Sequence, residues 1–309
     1  MTSLPPILQL AYQAATHFFG LTHQQIRVSA YRVSAHQQAL ETHHIPRLRI
    51  IQLSDLHFYE YTDSKYYQHV LHLVYEAVDQ ANQQQIATLV AITGDTIHHG
   101  PQYLHKACEW LQQLPQPCIT IMGNHDYKDG HGGEWFKNHL LQAGIPLLIN
   151  EARPYTDWNT NYTDNPSSPL WIVGFDDYYA GNQNVTAALS QVPSSALVIG
   201  LAHNPLHLNL IAKAHTPTHP SFPTPHILLS GHTHAGQVYL PWLGPIYRYG
   251  LQHQYRYGWH QHPLLPTQLY VNSGVSSVAF YPTFLGKAYP LPPFRWNTWP
   301  EVAVIDIFD

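Results

Sequence analysis

The sequence predicts an α/β sandwich with largely parallel or mixed sheets, and three observations carry that prediction. Short apolar runs bounded by polar residues or Gly recur along the chain, helical stretches alternate with them, and five of the runs end directly in Asp, Asn or His. The runs Leu48–Leu53, Leu89–Thr93, Cys118–Met122, Trp171–Phe175, Leu197–Ala202, Ile227–Ser230 and Leu269–Val271 have the length of buried strands, and Val302–Phe308 reads as a closing strand. Helices are expected at 63–83, 101–113, 133–143 and 205–213.

Ahead of these elements, residues 6–20 read as a helix entered through Pro5 and Pro6, with Ile7, Leu10, Ala11, Ala14 and Phe18 on one face. Packing on the core is the favoured reading. An interfacial anchor is the sharper alternative, weakened because this stretch carries no Lys or Arg for anionic headgroups. Residues 1–47 are therefore set apart as an N-terminal helix and lead-in segment, and 48–309 as the main domain. Within it, 151–169 is rich in Asn, Thr, Pro and Ser and reads as a loop or hairpin turn. Residues 238–296 are crowded with Tyr, Trp, Pro and Gly.

Composition excludes several classes. With 44% hydrophobic and 13% aromatic residues the 309-residue chain is neither disordered nor of low complexity. Lys+Arg is 14 against 19 Asp+Glu, so a dedicated nucleic-acid binder, which needs cations for phosphates, is not expected. No apolar run reaches the roughly 18 residues of a membrane span. The N-terminus lacks the positive region of a secretory signal. Cys108 and Cys118 make no disulfide framework and fit a reducing, cytoplasmic compartment. The 24 histidines make chance clusters common, so no single His carries an inference.

The strand ends do carry one. Ser54-Asp55-Leu56-His57, Thr93-Gly94-Asp95, Met122-Gly123-Asn124-His125-Asp126, Ala202-His203-Asn204 and Ser230-Gly231-His232-Thr233-His234 each follow an apolar run. Open α/β sheets bind ligands at the carboxyl ends of strands, so these residues are expected to converge. Residues two apart in extended backbone point the same way, which lets Asp55 and His57 grip one cation. Gly94, Gly123 and Gly231 stand where close backbone approach or positive φ is useful. Each piece alone has an ordinary reading: a chance D-x-H, a Gly-Asp turn, two of many histidines. All five in order do not, because buried carboxylates and imidazoles cluster only when compensated, and a bound cation is the simplest compensation. His98 and His99, just after Asp95, read by default as a solvated turn.

SDLH, GDTIHHG, GNHD, AHNP and GHTHAGQ, in this order over residues 48–240, resemble the signature blocks of the calcineurin-like metallophosphoesterases. The resemblance implies a two-sheet αββα sandwich with mixed sheets flanked by helices, and a dinuclear metal site. It assigns Asp55, His57 and His234 to a first divalent metal, Asp95 as a bridge, and Asn124, His203 and His232 to a second. It also implies that His125 faces the leaving group while Asp126 orients it. GHTHAGQ and the tail FRWNTWPEVAVIDI, with Arg295, Pro300 and Glu301, resemble the bacterial, often membrane-associated phosphodiesterase branch, which includes UDP-2,3-diacylglucosamine pyrophosphatases. Ala235 departs from that branch, where Gly is usual; both are small.

Elementary chemistry agrees with this resemblance. Two divalent cations roughly 3.5–4 Å apart clamp the attacking and leaving oxygens of an in-line displacement, and a bridging hydroxide serves as nucleophile. A thiolate-free O/N donor set suits Mn, placed first, or Fe or Zn, better than Mg alone. The expected activity is that of a phosphodiesterase or pyrophosphatase. A phosphomonoesterase or protein phosphatase shares the metals, and a non-catalytic scaffold would tend to have lost ligands that this chain retains. A lipid-linked substrate met at the inner face of the cytoplasmic membrane is expected from the apolar N-terminus, the branch resemblance and the aromatic stretch. That stretch includes Tyr239, Trp242, Leu243, Ile246, Tyr247, Tyr249, Leu251, Phe280, Tyr281, Phe284, Leu285, Tyr289, Leu291 and Phe294, interspersed with Arg248, Arg256 and Lys287. Packing between sheet and loops is the ordinary reading for about half of these side chains.

Overall fold

Alternation along single strands explains the layering. In the strand Leu48–Leu53, Leu48 and Ile50 join a core shared by two sheets, while Ile51 and Leu53 join a core beneath helices. The computed structural model describes residues 25–35, 45–60, 62–215, 223–245, 254–278 and 294–309, and the backbone of 283–284 and 287–288.

The first six-stranded sheet has the order β1 (Arg27–Ser34), β16 (Glu301–Phe308), β2 (Leu48–Leu53), β3 (Thr88–Ile92), β4 (Cys118–Ile121), β5 (Leu147–Leu148). β16 runs antiparallel to β2, whereas β2 to β5 are mutually parallel. The second has the order β12 (Gly258–Gln261), β13 (Gln268–Val271), β9 (Ile227–Ser230), β8 (Leu197–Leu201), β7 (Leu170–Gly174), β6 (Glu151–Pro154). Its four central strands are parallel and its two edges antiparallel. Two short ribbons, β10 (Tyr239–Leu240) with β11 (Gly244–Pro245) and β14 (Thr283–Phe284) with β15 (Lys287–Ala288), lie outside the sheets.

Ile50, Leu89, Ile119 and Ile121 of the first sheet meet Ile172, Leu197, Ile199, Ile227 and Tyr270 of the second in a fully buried inter-sheet core. Helices α1 (Ser64–Gln83), α2 (Leu104–Leu111) and α3 (Glu134–Gln142) cover the first sheet's outer face through Val70, Val74, Ala107, Trp110 and Phe136. α4 (Val185–Leu189) and α5 (His207–Ala214) cover the second through Ala188, Leu189, Leu208 and Ile211. The protein is thus a two-sheet α/β sandwich with helices on both outer faces.

Strand and helix expectations agree with these spans to within a few residues. The stretch 101–113 begins as a 3-10 turn at Pro101–Tyr103 before α2 starts. Residues 151–169 are not loop throughout: β6 pairs antiparallel with β7 and a 3-10 turn follows at Tyr155–Asp157. β1, inside the segment read as lead-in, pairs in parallel with β16. The expected helix at 6–20 lies outside the described residues, as do Ile246, Tyr247, Arg248, Tyr249, Leu251, Phe280, Tyr281, Leu285, Tyr289 and Leu291. No described helix is long and apolar enough to cross a membrane.

Because β2, β3 and β4 are parallel, their carboxyl ends share one edge, and those of β8 and β9 do the same. Gln52 joins the two sheets there, donating to Thr93 Oγ1 (3.0 Å) and to the Ser230 carbonyl (2.9 Å).

Candidate metal centre

Each loop leaving that edge is locked to its neighbour by backbone hydrogen bonds. Asp55 N–H donates to the Gly94 carbonyl (3.0 Å), His57 N–H to the Asp95 carbonyl (2.9 Å) and Gly231 N–H to the His203 carbonyl (3.0 Å). His232 N–H donates to Asp55 Oδ2 at 3.0 Å, which ties the second sheet's loop to the first sheet's carboxylate. To turn side chains inward this sharply the backbone enters the left-handed region. Asp55 (φ 53°), His57 (46°), Asp95 (53°), His232 (70°) and His234 (49°) all lie there.

Two glycines allow the loops to meet. A Cβ on Gly123 would stand 2.2 Å from Asp95 N, and one on Gly231 would stand 1.8 Å from Ser54 Oγ and 2.4 Å from Asp55 Oδ2. Gly231→Ala must therefore push the Asp55 turn aside. We expect it to destabilise the fold by about 1–3 kcal/mol and to reduce bound metal, read by thermal unfolding and elemental analysis. Unchanged stability and metal content would contradict the close approach.

Three groups of side chains result among the described residues. Asp55, His57 and His234 bring one donor atom each together, as do Asp95, His203 and His232, all buried, and His57 forms a third group with His98 and the half-buried His125. His57 Nε2 is 3.1 Å from His234 Nε2, and His232 Nδ1 is 3.0 Å from His203 Nε2. Asp95 stands between the groups, with Oδ2 3.7 Å from His57 Nε2 and 3.2 Å from His203 Nε2. Asp55 Oδ1 lies 3.3 Å from His234 Nε2.

Electrostatics separate the two carboxylates. Burial, with Asp95 beside it, pushes Asp55 up to about 6 against the pull of His203. Burial opposes ionisation of Asp95 too, but His203, His125 and His57 hold it well below the usual carboxylate range. His203 is the counterpart: burial lowers it, yet the Asp95 carboxylate raises it to about 10. Burial keeps His57 and His234 well below the ordinary imidazole value and His232 at about 3. The neutral imidazoles of His57, His232 and His234 facing carboxylates form a cation-binding donor set, which His203 joins by giving up its proton. Asp55 Oδ1 and Asn124 Oδ1 are buried acceptors with no hydrogen-bond partner, so they fit the same purpose.

His125 borders this centre. Its N–H donates to Asp95 Oδ1 (2.8 Å) and its Nδ1 donates to the His98 carbonyl (2.6 Å), so Nε2 faces outward toward Lys128 Nζ at 3.1 Å. Asp126, expected to orient His125, instead accepts from Ile97 N–H (3.0 Å) and Gly123 N–H (2.8 Å). His98, read as a solvated turn, is buried, with its ring stacked on His125 (centroids 4.7 Å) and Nδ1 3.4 Å from His57 Nδ1.

Asp177, which the sequence reading passed over, follows β7 as another strand-end carboxylate. It is buried, accepts from Tyr179 and Ala180 N–H through Oδ1, and has no partner for Oδ2. Phe175-Asp176-Asp177 carries the same signal as the five loops already singled out: an acid at the end of an apolar run. Arg295 is also buried, donating to the carbonyls of Ser273 (2.7 Å), Gly274 (3.1 Å) and His234 (3.3 Å).

The calcineurin-like phosphoesterase family model matches residues 48–236, more than half of the chain and all seven ligand-type residues of the centre. The chain belongs to this family. It is accordingly a metal-binding phosphoester hydrolase. Among related proteins, the uncharacterized metallophosphoesterase YkuE of Bacillus subtilis is 28% identical over 255 residues, covering 81% of this chain and 80% of that protein. An uncharacterized metallophosphoesterase of Helicobacter pylori is 26% identical, and the match spans 54% of its length. The UDP-2,3-diacylglucosamine pyrophosphatase LpxG of Chlamydia trachomatis is 23% identical over 64% of this chain and 67% of that protein. Among solved structures, the 5'-nucleotidase of Candida albicans superposes with a TM-score of 0.46 at 12% identity, covering 76% of this chain and 46% of that one.

Proposed function

We propose that this phosphoesterase is a phosphodiesterase or pyrophosphatase that uses two divalent cations. Asp55, His57 and His234 hold one, Asn124, His203 and His232 the other, and Asp95 serves both. The observation that carries the proposal is the pair of buried donor groups joined through Asp95 Oδ2. Bound cations supply Lewis-acid activation of water and neutralise phosphoryl charge, and Mn suits this thiolate-free set, with Fe or Zn as alternatives.

The chain's own groups do the rest. Asp95 also receives the His125 N–H and so fixes that residue's backbone. The His98 carbonyl fixes the His125 tautomer, with the proton on Nδ1, and leaves Nε2, beside Lys128 Nζ, as the nitrogen that exchanges a proton with the leaving oxygen. Asp126 clamps the Gly123 and Ile97 amides and so sets the loop that carries Asn124 and His125. No Ser or Cys nucleophile is required.

A lipid-linked substrate is the finer proposal. The ribbon β10–β11 follows His234 directly and is seated on its turn, since a Cβ on Gly236 would come within 2.5 Å of Pro245 Cβ. Trp242 and Leu243 at its tip are exposed, while the Arg256 guanidinium stands 4.8 Å from the Tyr239 ring centre. An exposed Trp-Leu tip beside a phosphoester centre suits contact with acyl chains or a bilayer interface. Distant similarity to LpxG adds support.

Purified protein with Mn is expected to hydrolyse bis(p-nitrophenyl) phosphate well ahead of p-nitrophenyl phosphate; the reverse order would make it a phosphomonoesterase. A diacylated nucleotide-sugar pyrophosphate is expected to exceed its deacylated headgroup in kcat/KM. Equal values, with no sedimentation on liposomes, would remove the lipid and leave the phosphoesterase. No metal on elemental analysis and no activity toward any phosphoester would refute the whole proposal.

A further inference from the structure

Arg295 lies beyond the matched residues 48–236, yet its side chain reaches toward two members of the first donor group. It is 4% exposed, and backbone carbonyls surround its guanidinium. Nη2 donates to the carbonyls of Ser273 (2.7 Å), Gly274 (3.1 Å) and Ser276, Nε donates to Ser277 Oγ (3.1 Å), and Nη1 donates to the His234 carbonyl (3.3 Å). The segment that carries it is anchored to the residues after His234. Trp296 N–H donates to the Gln237 carbonyl (3.1 Å) and Tyr239 N–H to the Trp296 carbonyl (2.9 Å).

Both sides of this fork lead to donor residues. On one side the loop 273–277, after β13, lies against Asp55. Val275 N–H donates to the Ser54 carbonyl (2.8 Å) and Ser276 N–H to the Asp55 carbonyl (3.0 Å), and a Cβ on Gly274 would stand 2.8 Å from Asp55 Cβ. On the other side is His234 itself. Its Nε2 stands among the donors, 3.1 Å from His57 Nε2, while Arg295 Nη2 lies 3.4 Å from Nδ1, the nitrogen across the ring. Closer carbonyls take the Nη2 hydrogens, so this contact backs the ring by position.

A buried positive charge behind His234 does nothing to attract a second cation, and taking it out of water is costly. What the guanidinium supplies is geometry. Its five donors in one rigid plane hold two loops at once, which a Lys ammonium on a flexible stem does not do.

We infer that Arg295 is a positioning residue for the first cation: by clamping the loop 273–277 to the His234 turn, it sets how Asp55 and His234 face each other. This rests on the proposed assignment of Asp55, His57 and His234 to one cation. None of the contacts given for Arg295 is to Asn124, His203 or His232, so the second position is expected to be independent of it.

The test measures Mn binding to metal-stripped protein, by electron paramagnetic resonance of the free ion, and needs no catalysis. The unaltered protein is expected to bind two ions. In Arg295→Lys, which keeps the charge and loses the fork, one binding step is expected to weaken roughly 10- to 100-fold, the usual effect of removing a group that orients a ligand, while the other stays unchanged. Adding His57→Ala to Arg295→Lys should spare the unchanged step, and adding His203→Ala should abolish it. Val78→Ala, a core change in α1, gives the comparison for general loss of stability. Both steps weakened alike, neither weakened, the reverse response to the two added substitutions, or the same selective loss in Val78→Ala would overturn the inference and leave the two-cation reading standing. An unaltered protein that binds no divalent ion would refute that reading, and the role of Arg295 with it.

Discussion

If two cations are held as proposed, Asp95→Ala is expected to empty both positions and reduce phosphoester hydrolysis by roughly 10³-fold or more, the several kcal/mol that Lewis-acid stabilisation supplies. The reason is its central place. One carboxylate lies within 4 Å of His57 and of His203, from opposite groups, and also receives the His125 amide. Its loss leaves His203 without the charge that it faces and releases the loop carrying Asn124. Elemental analysis of the purified variant checks this, with Asp95→Asn as companion, since Asn keeps an acceptor for His125 N–H while removing the charge. Metal content equal to that of the unaltered protein in Asp95→Ala would contradict the shared role.

His125→Ala is expected to behave in the opposite way. Metal content should persist, because this side chain belongs to neither the Asp55–His57–His234 group nor the Asp95–His203–His232 group, although it stands with His98 beside His57 in a third. Turnover should fall by about 10²–10⁴-fold, the usual size of a lost general acid. The loss should shrink for p-nitrophenyl esters, whose leaving group needs no proton, and reach its full size for alkyl esters. If both suffer alike, Nε2 does not protonate the leaving oxygen.

Most of the sandwich was legible because its strands are buried on both faces and so read as continuous apolar runs. Leu48–Leu53 and Leu197–Leu201 are buried at every position. β1 escaped for the opposite reason: Arg27, Ala30 and Arg32 are exposed on an edge strand, and its pairing with β16 spans nearly the whole chain. α4 is one five-residue turn fixed by its Asn184 cap, too short for a periodic signal.

In the centre, six of the residues singled out at strand ends come together in two buried groups, whereas Asp126 accepts from backbone amides rather than meeting its neighbour His125. A 3-10 turn at Asp126–Lys128 swings that carboxylate toward backbone amides, away from the neighbouring imidazole. His98 was hidden by abundance, since one histidine among 24 gives no sign of which is packed against His57 and His125.

The left-handed backbone at Asp55, His57, Asp95, His232 and His234 has a thermodynamic consequence. Each such residue costs on the order of 1 kcal/mol, and together they approach the net stability of an ordinary domain. The inter-sheet core therefore holds these turns in a shape that they would abandon alone. Conformational freedom is surrendered when the chain folds, so a cation arriving afterwards orders very little. Affinity for metal is in this sense inherited from packing far away: loosening the apolar layer between the sheets would weaken ion capture without touching a single ligand.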